Sequence, residues 1–428
     1  MRLINTRNRY DNILFKNAIL NPINNGMWFF PYIPKLQNEF FKKLPNKSFN
    51  EISYDICKAF SLDKEIGKNN LIDIIEKSFQ FPIINKELKK NLIVSELYHG
   101  PSKSFKDFGT SFTANLLQNI KTDDNEINII TATTGDTGSA VANAFYKKKG
   151  IKVHILYPKD KISIIQQKQM TTLGDNIRCY AIDGNFDDCQ HIVKTLLNDR
   201  TIFNLTTCNS VNIGRLLGQI FYYFYICQNS LDKKINISIP TGNMGNGLSC
   251  YIAKRMGLPI NNIILASNNN SNLSKLLNYE NFNLNTECKK TFSNAIDIIN
   301  PSNYERYNSF INNYNNYNKT KLDSMIPTIT NDNETLYMIN KIYYKYNYII
   351  DPHTAVAFDG LFNKYNHNRF DLNQHNIVLS TADPSKFYFE IDYKDKFKLS
   401  NEITRLLEKK EFIIECSNDI NKIKQYII

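Results

Sequence analysis

The sequence predicts an α/β fold with two parallel or mixed sheets and a helical N-terminal segment. Its 428 residues exceed what one hydrophobic core usually serves, so about two or three domains are expected. From about residue 92, short apolar runs are followed by Gly, Ser or Thr turns and then by helical periodicity. Strands and helices that alternate in this way form parallel sheets. The composition, with 42% hydrophobic and 22% charged residues, excludes a disordered chain and a coiled-coil rod.

Individual elements follow from the same patterns. In residues 1–91, apolar patches with helical spacing are separated by Pro and Asn clusters, which predicts a helical lead-in. Further along, a strand, a Gly-containing turn and a helix recur in that order. The predicted strands cover 127–132, 152–156, 177–182, 235–239 and 377–381, and the clearest predicted helices cover 139–148 and 248–255. The Asn-rich tract between 268 and 345 predicts only scattered helical pieces.

Charge and composition narrow the classes of partner. The excess of 52 Lys and Arg over 41 Asp and Glu gives a net charge of +11, which permits an anionic partner. The basic residues are scattered and form no block interleaved with aromatics, so no nucleic-acid partner is predicted. No run approaches the roughly 18 apolar residues of a membrane span, and the N-terminus lacks a signal-peptide pattern, which predicts a cytoplasmic protein. The 8 cysteines form neither C-x-x-C pairs nor Cys/His clusters, so no metal site is predicted.

Three glycines fall within residues 242–247, although the whole chain has only 16. Glycines at a strand-to-helix junction let backbone N–H groups approach an anion, and the helix dipole adds to the attraction. The segment therefore predicts either a phosphate-binding loop or a tight turn, and its own residues do not decide between them. The candidate binding residues are Gly242, Asn243, Met244, Gly245 and Asn246.

Two further segments are chemically unusual. Lys106 lies between Phe105 and Phe108, where desolvation would favour the neutral amine that forms a Schiff base. The alternative is a lysine that covers apolar surface with its ammonium group in water. The hydroxyl-rich turn 131–139 could hold a carboxylate at a helix N-terminus or could simply cap that helix. His353 is likewise either a functional residue or a hydrogen-bonded structural histidine, and the structural role is favoured.

Six motifs in order carry a resemblance that spans residue 1 to about residue 390. They are SFKDFG, TATTGDTG, NSVNIGR, PTGNMGN, DPHTAVA and STADPSKF. Together they closely resemble the threonine synthase family, pyridoxal 5'-phosphate (PLP) enzymes of the tryptophan-synthase-β fold, or fold type II. The resemblance implies conversion of O-phospho-L-homoserine and water into L-threonine and phosphate by γ-elimination and β-hydration.

The resemblance also implies a role for each matched residue. Lys106 would attach PLP covalently and move protons, the loop 242–246 would hold the PLP phosphate, and Thr381 would face the pyridine nitrogen. Asp136 would flank the cofactor ring. The residues matched to substrate binding are Thr133, Thr134 and Thr137 for the carboxylate, and Asn209, Ser210 and Arg215 for the phosphate. Asp383 departs from the family pattern, which often has His there, and could alter the ring environment.

We expect a helical N-terminal domain (1–91), a large PLP-binding domain (92–111 and 214–428) and a small mobile βαβ domain (112–213). The resemblance assigns nothing beyond about residue 400, and it allows a monomer or a homodimer. A threonine or serine dehydratase is the closest alternative enzyme, but an Arg placed for a phosphorylated substrate argues against it. A degenerate binding protein that has kept the fold is the alternative from another class, and the retained Lys106 and glycine loop argue against it.

Overall fold

The computed structural model describes residues 1–121, 126–199, 201–202, 204–278, 284–313, 325–364, 374–393 and 395–427. The strands are β1 (Arg2–Asn5), β2 (Asn12–Leu14), β3 (Trp28–Phe29), β4 (Ile84–Lys89), β5 (Leu92–Glu96), β6 (Ile127–Ala132), β7 (Ile151–Pro158), β8 (Ile177–Asp183), β9 (Leu205–Thr206), β10 (Ile235–Pro240), β11 (Ile260–Asn268), β12 (Met325–Thr330), β13 (His375–Ser380) and β14 (Ile413–Ser417). They form three separate sheets.

The helices lie between and around these strands. They are α1 (Phe15–Leu20), α2 (Asn38–Lys43), α3 (Phe49–Ala59), α4 (Leu62–Ile66), α5 (Lys68–Ser78), α6 (Lys106–Ile120), α7 (Asp136–Phe145), α8 (Ile164–Thr171), α9 (Phe186–Asn198), α10 (Ile213–Cys227), α11 (Gly245–Met256), α12 (Leu273–Leu277), α13 (Asn303–Asn313), α14 (Asp332–Tyr346), α15 (Pro352–Asp359), α16 (Asn401–Glu408) and α17 (Ile420–Ile427). Short 3-10 turns cover Leu44–Asn46, Asn294–Ile296 and Pro384–Phe387, and Gly360–Lys364 is a π-helical turn. In the ranges described, no helix is both long enough and apolar enough to span a membrane.

The large sheet has the order β12-β11-β10-β13-β5-β4. Its strands are parallel except β4, which pairs antiparallel with β5. Every residue of β10 and β13 is buried, as expected for central strands of a parallel sheet that has helices on both faces. One core cluster includes residues of α6, α10 and α11, and a second includes residues of α14 and α15. The predicted mixed α/β sheet is confirmed.

The small sheet has the order β14-β8-β7-β6-β9, and all of its pairings are parallel. Alternate residues of β6 pack into different cores, with Ile129 in one and Ile130 in the other, because successive side chains of a strand point to opposite faces. The edge strand β14 belongs to residues that the sequence assigned to the large domain. It joins the small sheet because the apolar side of α17 packs against α9 in that core.

Residues 1–29 contain the third sheet, an antiparallel one with the order β2-β1-β3, in addition to α1. A purely helical lead-in was therefore an incomplete prediction. Strands of two to four residues are too short to show a periodic pattern. The apolar side chains of this segment, including Leu3, Phe15 and Trp28, belong to the same core cluster as those of α10. The N-terminal segment thus lies against the rest of the protein.

The five predicted strands are confirmed, with ends that differ by no more than two residues. The two predicted helices begin three residues earlier than expected, at Asp136 and Gly245, because their glycines were interpreted as part of the preceding turns. In α7 the glycine is needed for packing: a Cβ on Gly138 would lie 2.6 Å from the Thr133 Cγ2 atom. The N-terminal turns of both helices consequently belong to the site described below.

Candidate active site

A cleft of about 1140 Å³, including its mouth, lies between the two larger sheets. Its floor is formed by the segments that follow β5, β10 and β13, three adjacent strands of the large sheet, and its other wall follows β6. Ligands of α/β proteins bind at such carboxyl ends, where the strand order reverses. All the predicted site residues line this cleft: Lys106, Thr133, Thr134, Asp136, Thr137, Asn209, Ser210, Arg215, Gly242, Asn243, Met244, Gly245, Asn246 and Thr381.

Backbone pairing sets the position of Lys106. The segment between β5 and α6 runs beside the residues that follow β13. The Leu97 amide donates to the Ser380 carbonyl at 2.9 Å, and the Phe105 amide donates to the Thr381 carbonyl at 2.9 Å. Lys106 is the next residue and begins α6. These bonds hold Lys106 close to Thr381, beyond the ends of the adjacent strands β5 and β13.

The Lys106 ammonium group is enclosed rather than solvated. Its side chain is 12% exposed, and Nζ lies 3.1 Å from the Asp136 Oδ2 atom and 4.7 Å from the centroid of the Phe105 ring. Burial lowers the pKa of Lys106, although the neighbouring Asp136 carboxylate opposes this shift. The alternative of a lysine with its ammonium group in water is therefore wrong. A lysine with a lowered pKa more readily provides the neutral amine of a nucleophile or base.

Asp136 is the hub of a buried hydrogen-bond network. Its Oδ1 atom accepts from Lys386 Nζ at 2.7 Å and from Gln166 Nε2 at 2.9 Å, while Oδ2 faces Lys106. Burial opposes ionisation, but the Lys106 and Lys386 ammonium groups hold the pKa of Asp136 well below its usual range. Lys386 is fully buried and also donates to the Ser102 carbonyl at 2.8 Å. Asp136 therefore keeps one cationic partner when Lys106 changes its charge.

The glycine loop connects β10 to α11. Met244 has a φ of 59°, and a Cβ on Gly242 would lie 3.0 Å from the Ile296 Cα atom, so the loop backbone needs the glycine. The Asn243 carbonyl accepts from the Asn303 amide at 3.2 Å and from its Nδ2 group at 3.0 Å, which anchors the loop to α13. The first amides of α11 have no carbonyl partner within the helix and lie at the cleft. This arrangement favours an anion such as a phosphate.

Side-chain atoms at one end of the cleft indicate a polar ligand. Four of them are buried and have no hydrogen-bond partner among the residues described: Asn209 Oδ1, Arg215 Nε, Gln219 Oε1 and Asn246 Nδ2. Orphaned buried polar groups are rare in folded proteins because each is costly. Tyr222 and Tyr223 both donate to the Asn246 Oδ1 atom, which leaves its NH₂ group free for a ligand. The two donors among these atoms, Arg215 Nε and Asn246 Nδ2, together with the glycine loop, fit a bound phosphate group, whereas the two amide oxygens can accept from a donor of the ligand.

Arg215 is the main charged residue of this part of the cleft. It is 2% exposed, and Nη1 donates to the Cys208 carbonyl at 2.6 Å. Burial lowers its pKa, and in the part of the chain that the structure describes it forms no salt bridge with a carboxylate. A buried guanidinium without a carboxylate is well suited to an anionic group of a ligand, because its planar donors match phosphate oxygens.

The hydroxyl turn caps a helix, and two of its threonines also lie at the cleft. The Thr133 Oγ1 atom accepts from the amides of Gly135 and Gly138 at 2.9 and 2.8 Å, which is the structural role of capping the start of α7. Thr134 and Thr137 are half-buried and face the cleft. Their hydroxyls, at the N-terminus of a helix, are placed for an anion such as a carboxylate.

His353 combines a structural bond with a place in the cleft lining. Its Nδ1 atom lies 2.8 Å from the Asp351 Oδ1 atom, and its Nε2 atom accepts from the Ala295 amide at 3.0 Å. These bonds are those of a neutral imidazole with its proton on Nδ1, and they hold the turn Asn294–Ile296 at the cleft. Asp383 does not line the cleft; its carboxylate accepts from the Ser385 amide and lies 3.6 Å from Lys103 Nζ.

Several residues of the site had no predicted role. Lys386 stands within the STADPSKF motif, but nothing in the sequence indicates that it reaches Asp136. Gln219 lies one helical turn after Arg215, so helical spacing could have identified it as a neighbour on the same face. Gln166 and the turn Asn294–Ile296 come from distant parts of the chain, and no sequence signal marks them. Only the tertiary fold brings these residues to the cleft.

Two families match the chain. The family described as "Pyridoxal-phosphate dependent enzyme" matches residues 76–381, and "Threonine synthase N terminus" matches residues 2–79. Among curated proteins, threonine synthase of Buchnera aphidicola subsp. Schizaphis graminum is 33% identical over 442 residues, and the match covers 100% of each chain. Threonine synthase of Escherichia coli K12 is 34% identical over 397 residues, which cover 90% of this chain and 89% of the relative.

Solved structures give the same result. The crystal structure of threonine synthase from Escherichia coli superposes with a TM-score of 0.91 at 30% identity, over 100% of this chain and 99% of that one. A PLP-bound threonine synthase from Brucella melitensis matches with a TM-score of 0.85 at 26% identity, over 100% and 98%. A threonine deaminase from Solanum lycopersicum matches with a TM-score of 0.54 at 16% identity, over 80% and 93%, which shows a shared fold alone.

Proposed function

The chain belongs to the threonine synthase family of PLP-dependent enzymes, and on that premise we propose how its cleft divides the work of the reaction. The protein is a carbon–oxygen lyase of threonine biosynthesis, which converts O-phospho-L-homoserine and water into L-threonine and phosphate. One observation supports our assignment above the others. The buried Lys106–Asp136 pair lines the same cleft as the residues of two unpartnered donors, Arg215 Nε and Asn246 Nδ2.

PLP fits the part of the cleft that lies over the large sheet. Lys106 would attach it covalently, the loop from Gly242 to Asn246 would bind its phosphate, and the Thr381 hydroxyl would face its ring nitrogen. Asp136 would flank the ring, because it lies against Lys106 Nζ at 3.1 Å. When bound, PLP supplies an electron sink for the negative charge left at the substrate Cα atom. The geometry of the glycine loop and the lowered pKa of Lys106 support this placement.

Lys106 would move the protons of the reaction. Its Nζ atom would take the Cα proton of the substrate, and the lowered pKa increases the neutral fraction able to do so. The Asp136 Oδ2 atom then stabilises the ammonium group that forms, at the 3.1 Å distance already present. Lys386 keeps the Asp136 carboxylate in place throughout, since it donates to the opposite oxygen. Proton transfer by a positioned side chain typically contributes about 10²- to 10⁴-fold in rate.

Arg215, Asn209 and Ser210 would bind the phosphate of the substrate and stabilise it as it leaves. Charge develops on that phosphate as the Cγ–O bond breaks, and a buried guanidinium interacts with it more strongly than it could in water. Thr133, Thr134 and Thr137, at the start of α7, would hold the substrate carboxylate, with Thr133 acting mainly through the turn that it caps. A dehydratase has no use for a second anion site, so Arg215 favours the phosphorylated substrate.

Water must reach the substrate at one stage only, so we propose that the small domain, residues 112–213 together with β14 and α17, which pack with it, closes over the large domain. A contact across the cleft supports this: Asn294 Nδ2 donates to the Gln166 Oε1 atom at 3.1 Å. We further propose a cytoplasmic protein, since all eight cysteines, each within the described ranges, are free thiols. The assembly, monomer or homodimer, stays a prediction, as does the lack of a nucleic-acid partner.

Chemical trapping tests the assignment of Lys106. Reduction of the PLP-loaded enzyme with borohydride fixes the cofactor to the lysine that holds it, and peptide mass mapping then identifies that lysine. We expect the label on Lys106 and none on its neighbours Lys103 and Lys386, because Lys386 is fully buried between Asp136 and the Ser102 carbonyl. A label on either neighbour would refute the assignment.

A further inference from the structure

Arg306, on α13, is fully buried behind the loop of Asn209, Ser210 and Val211. Its guanidinium makes four hydrogen bonds, and three of the acceptors are backbone carbonyls. Nε donates to the Trp28 carbonyl at 3.0 Å, Nη1 to the Ser210 carbonyl at 3.1 Å, and Nη2 to the Val211 carbonyl. Nη1 also donates to the Asn303 Oδ1 atom at 2.7 Å. One side chain thus joins α13, the N-terminal segment and the loop.

The charge of Arg306 has no carboxylate partner among the residues that the structure describes. The adjacent Glu305 directs its carboxylate to the surface, where it bonds to Arg7 at 2.7 Å and Thr6 at 2.6 Å. Burial lowers the pKa of Arg306 to about 9, although Glu305 opposes this shift, so the group remains protonated at neutral pH. A buried cation without a counter-ion is costly, and a nearby anion would repay that cost.

The bonds from Arg306 also orient the loop. In a trans peptide the N–H points away from the C=O of the same peptide unit. Because the Ser210 carbonyl is turned toward Arg306, the Val211 amide is turned away from it, and no described residue accepts from that amide. The following amide, of Asn212, is already used in a bond to the Asn209 carbonyl. All three loop residues line the cleft, and an amide that is turned away from Arg306 and has no acceptor among the described residues can donate to a ligand there.

The N-terminal segment supports the same loop from another side. The Ile19 carbonyl accepts from Thr206 Oγ1 and from Asn212 Nδ2, both at 2.9 Å, and the Trp28 carbonyl accepts from Arg306. Ile23, between these two contacts, lines the cleft itself. The segment and Arg306 therefore brace both ends of the loop.

We propose that Arg306 is a positioning residue for the phosphate of the substrate. It turns the Val211 amide toward the ligand and places an uncompensated positive charge behind the loop, in addition to the direct contact from Arg215. This inference rests on the proposed role of Asn209 and Ser210 in phosphate binding. It also gives the N-terminal segment a function, which is to brace the phosphate loop through the Ile19 and Trp28 carbonyls.

The test compares PLP-loaded wild type with Arg306→Met, Arg306→Lys and the control Arg178→Met. Arg178 also donates to one backbone carbonyl, that of Tyr426, but lies on the exposed side of β8. The affinity for inorganic phosphate is measured by calorimetry. The affinity for L-threonine, which has no phosphate group, is measured from the spectral change of the PLP-loaded enzyme. We expect Arg306→Met to weaken phosphate binding about tenfold and to raise KM by a similar factor, with kcat and L-threonine affinity changed by less than about threefold. The phosphate affinity of Arg306→Lys should fall between those of wild type and Arg306→Met, because lysine keeps the charge but lacks the planar set of guanidinium donors.

If Arg306 has a purely structural role, its replacement will lower the affinities for phosphate and for L-threonine by the same factor. That result would overturn the proposal, and so would an unchanged affinity for phosphate. If Arg306→Met fails to fold, as judged by Trp28 fluorescence and thermal unfolding, Arg306→Lys is used instead. Its loss of phosphate affinity is then compared with its loss of L-threonine affinity. Failure of the proposed function looks different. If the Arg306 variants lose phosphate affinity relative to wild type, but the wild-type enzyme forms no threonine, the inference is supported and the proposed function is contradicted.

Discussion

Replacement of Lys106 by Ala is expected to abolish covalent attachment of PLP and to lower kcat by about 10³-fold or more. The structure gives the reason, since the substitution removes the only lysine that faces both Asp136 Oδ2 and the Phe105 ring within the described residues. Lys386 cannot replace it, because its ammonium group is fully buried on Asp136 and the Ser102 carbonyl. Visible absorbance after dialysis measures attachment, and phosphate release measures turnover.

Lys159→Ala is the matched control for this experiment. Lys159 is 43% exposed and pairs with Glu415 at the edge of the small sheet, away from the cleft lining. We expect the control to keep both the absorbance band and wild-type turnover. Retention of covalent PLP by the Lys106→Ala enzyme would contradict the assignment, because another lysine would then be the attachment site.

Replacement of Arg215 by Met is expected to lower kcat/KM for O-phospho-L-homoserine by about 10²-fold or more, while PLP stays attached to Lys106. The variant loses the buried guanidinium whose Nε atom has no partner within the described part of the protein. In the proposed mechanism both binding of the phosphate and its departure depend on that charge, so KM should rise and kcat should fall. Steady-state kinetics, with absorbance as the check on the cofactor, measure the two effects separately.

The Arg215 side chain also supports the fold through its bond to the Cys208 carbonyl. Affinity for L-threonine separates this structural part from phosphate recognition, because threonine has no phosphate group. We expect that affinity to change by less than about threefold, as in the control Arg178→Met. If the kinetic constants for O-phospho-L-homoserine equal those of wild type, the proposed role of Arg215 in phosphate binding is wrong.

The sequence predicts the main residues of the site because they fall in short, continuous motifs. The hydroxyl turn and the glycine loop each follow a predicted strand directly, whereas Lys106 comes after β5, which was not predicted, and after a segment whose Phe105 amide bonds to the Thr381 carbonyl. The resemblance to a known family, rather than the predicted strands, assigned these residues to one site, and the structure places them in one cleft. Helix starts were less predictable, since Gly138 and Gly245 indicate a turn by composition, but Gly138 is closely packed within α7 and Gly245 lies at the cleft as the first residue of α11.

The remaining parts of the site depend on contacts between distant residues. Lys386 reaches Asp136 across 250 positions of the chain, and Arg306 reaches Trp28 across 278. Neither contact leaves a periodic pattern, and Arg306 lies in an Asn-rich tract where only scattered helical pieces could be predicted. The strand β14 was also missed, because an edge strand of five residues is defined by its pairing with β8 rather than by its own composition.

Product analysis of the wild-type enzyme tests the proposed reaction. The purified protein is incubated with PLP and O-phospho-L-homoserine, and phosphate, threonine and 2-oxobutyrate are measured over the same time course. We expect phosphate and threonine in equal amounts, because we assign proton transfer to Lys106 and binding of the leaving phosphate to the buried site around Arg215. Release of phosphate with 2-oxobutyrate in place of threonine, or no turnover by enzyme with covalently bound PLP, would contradict it.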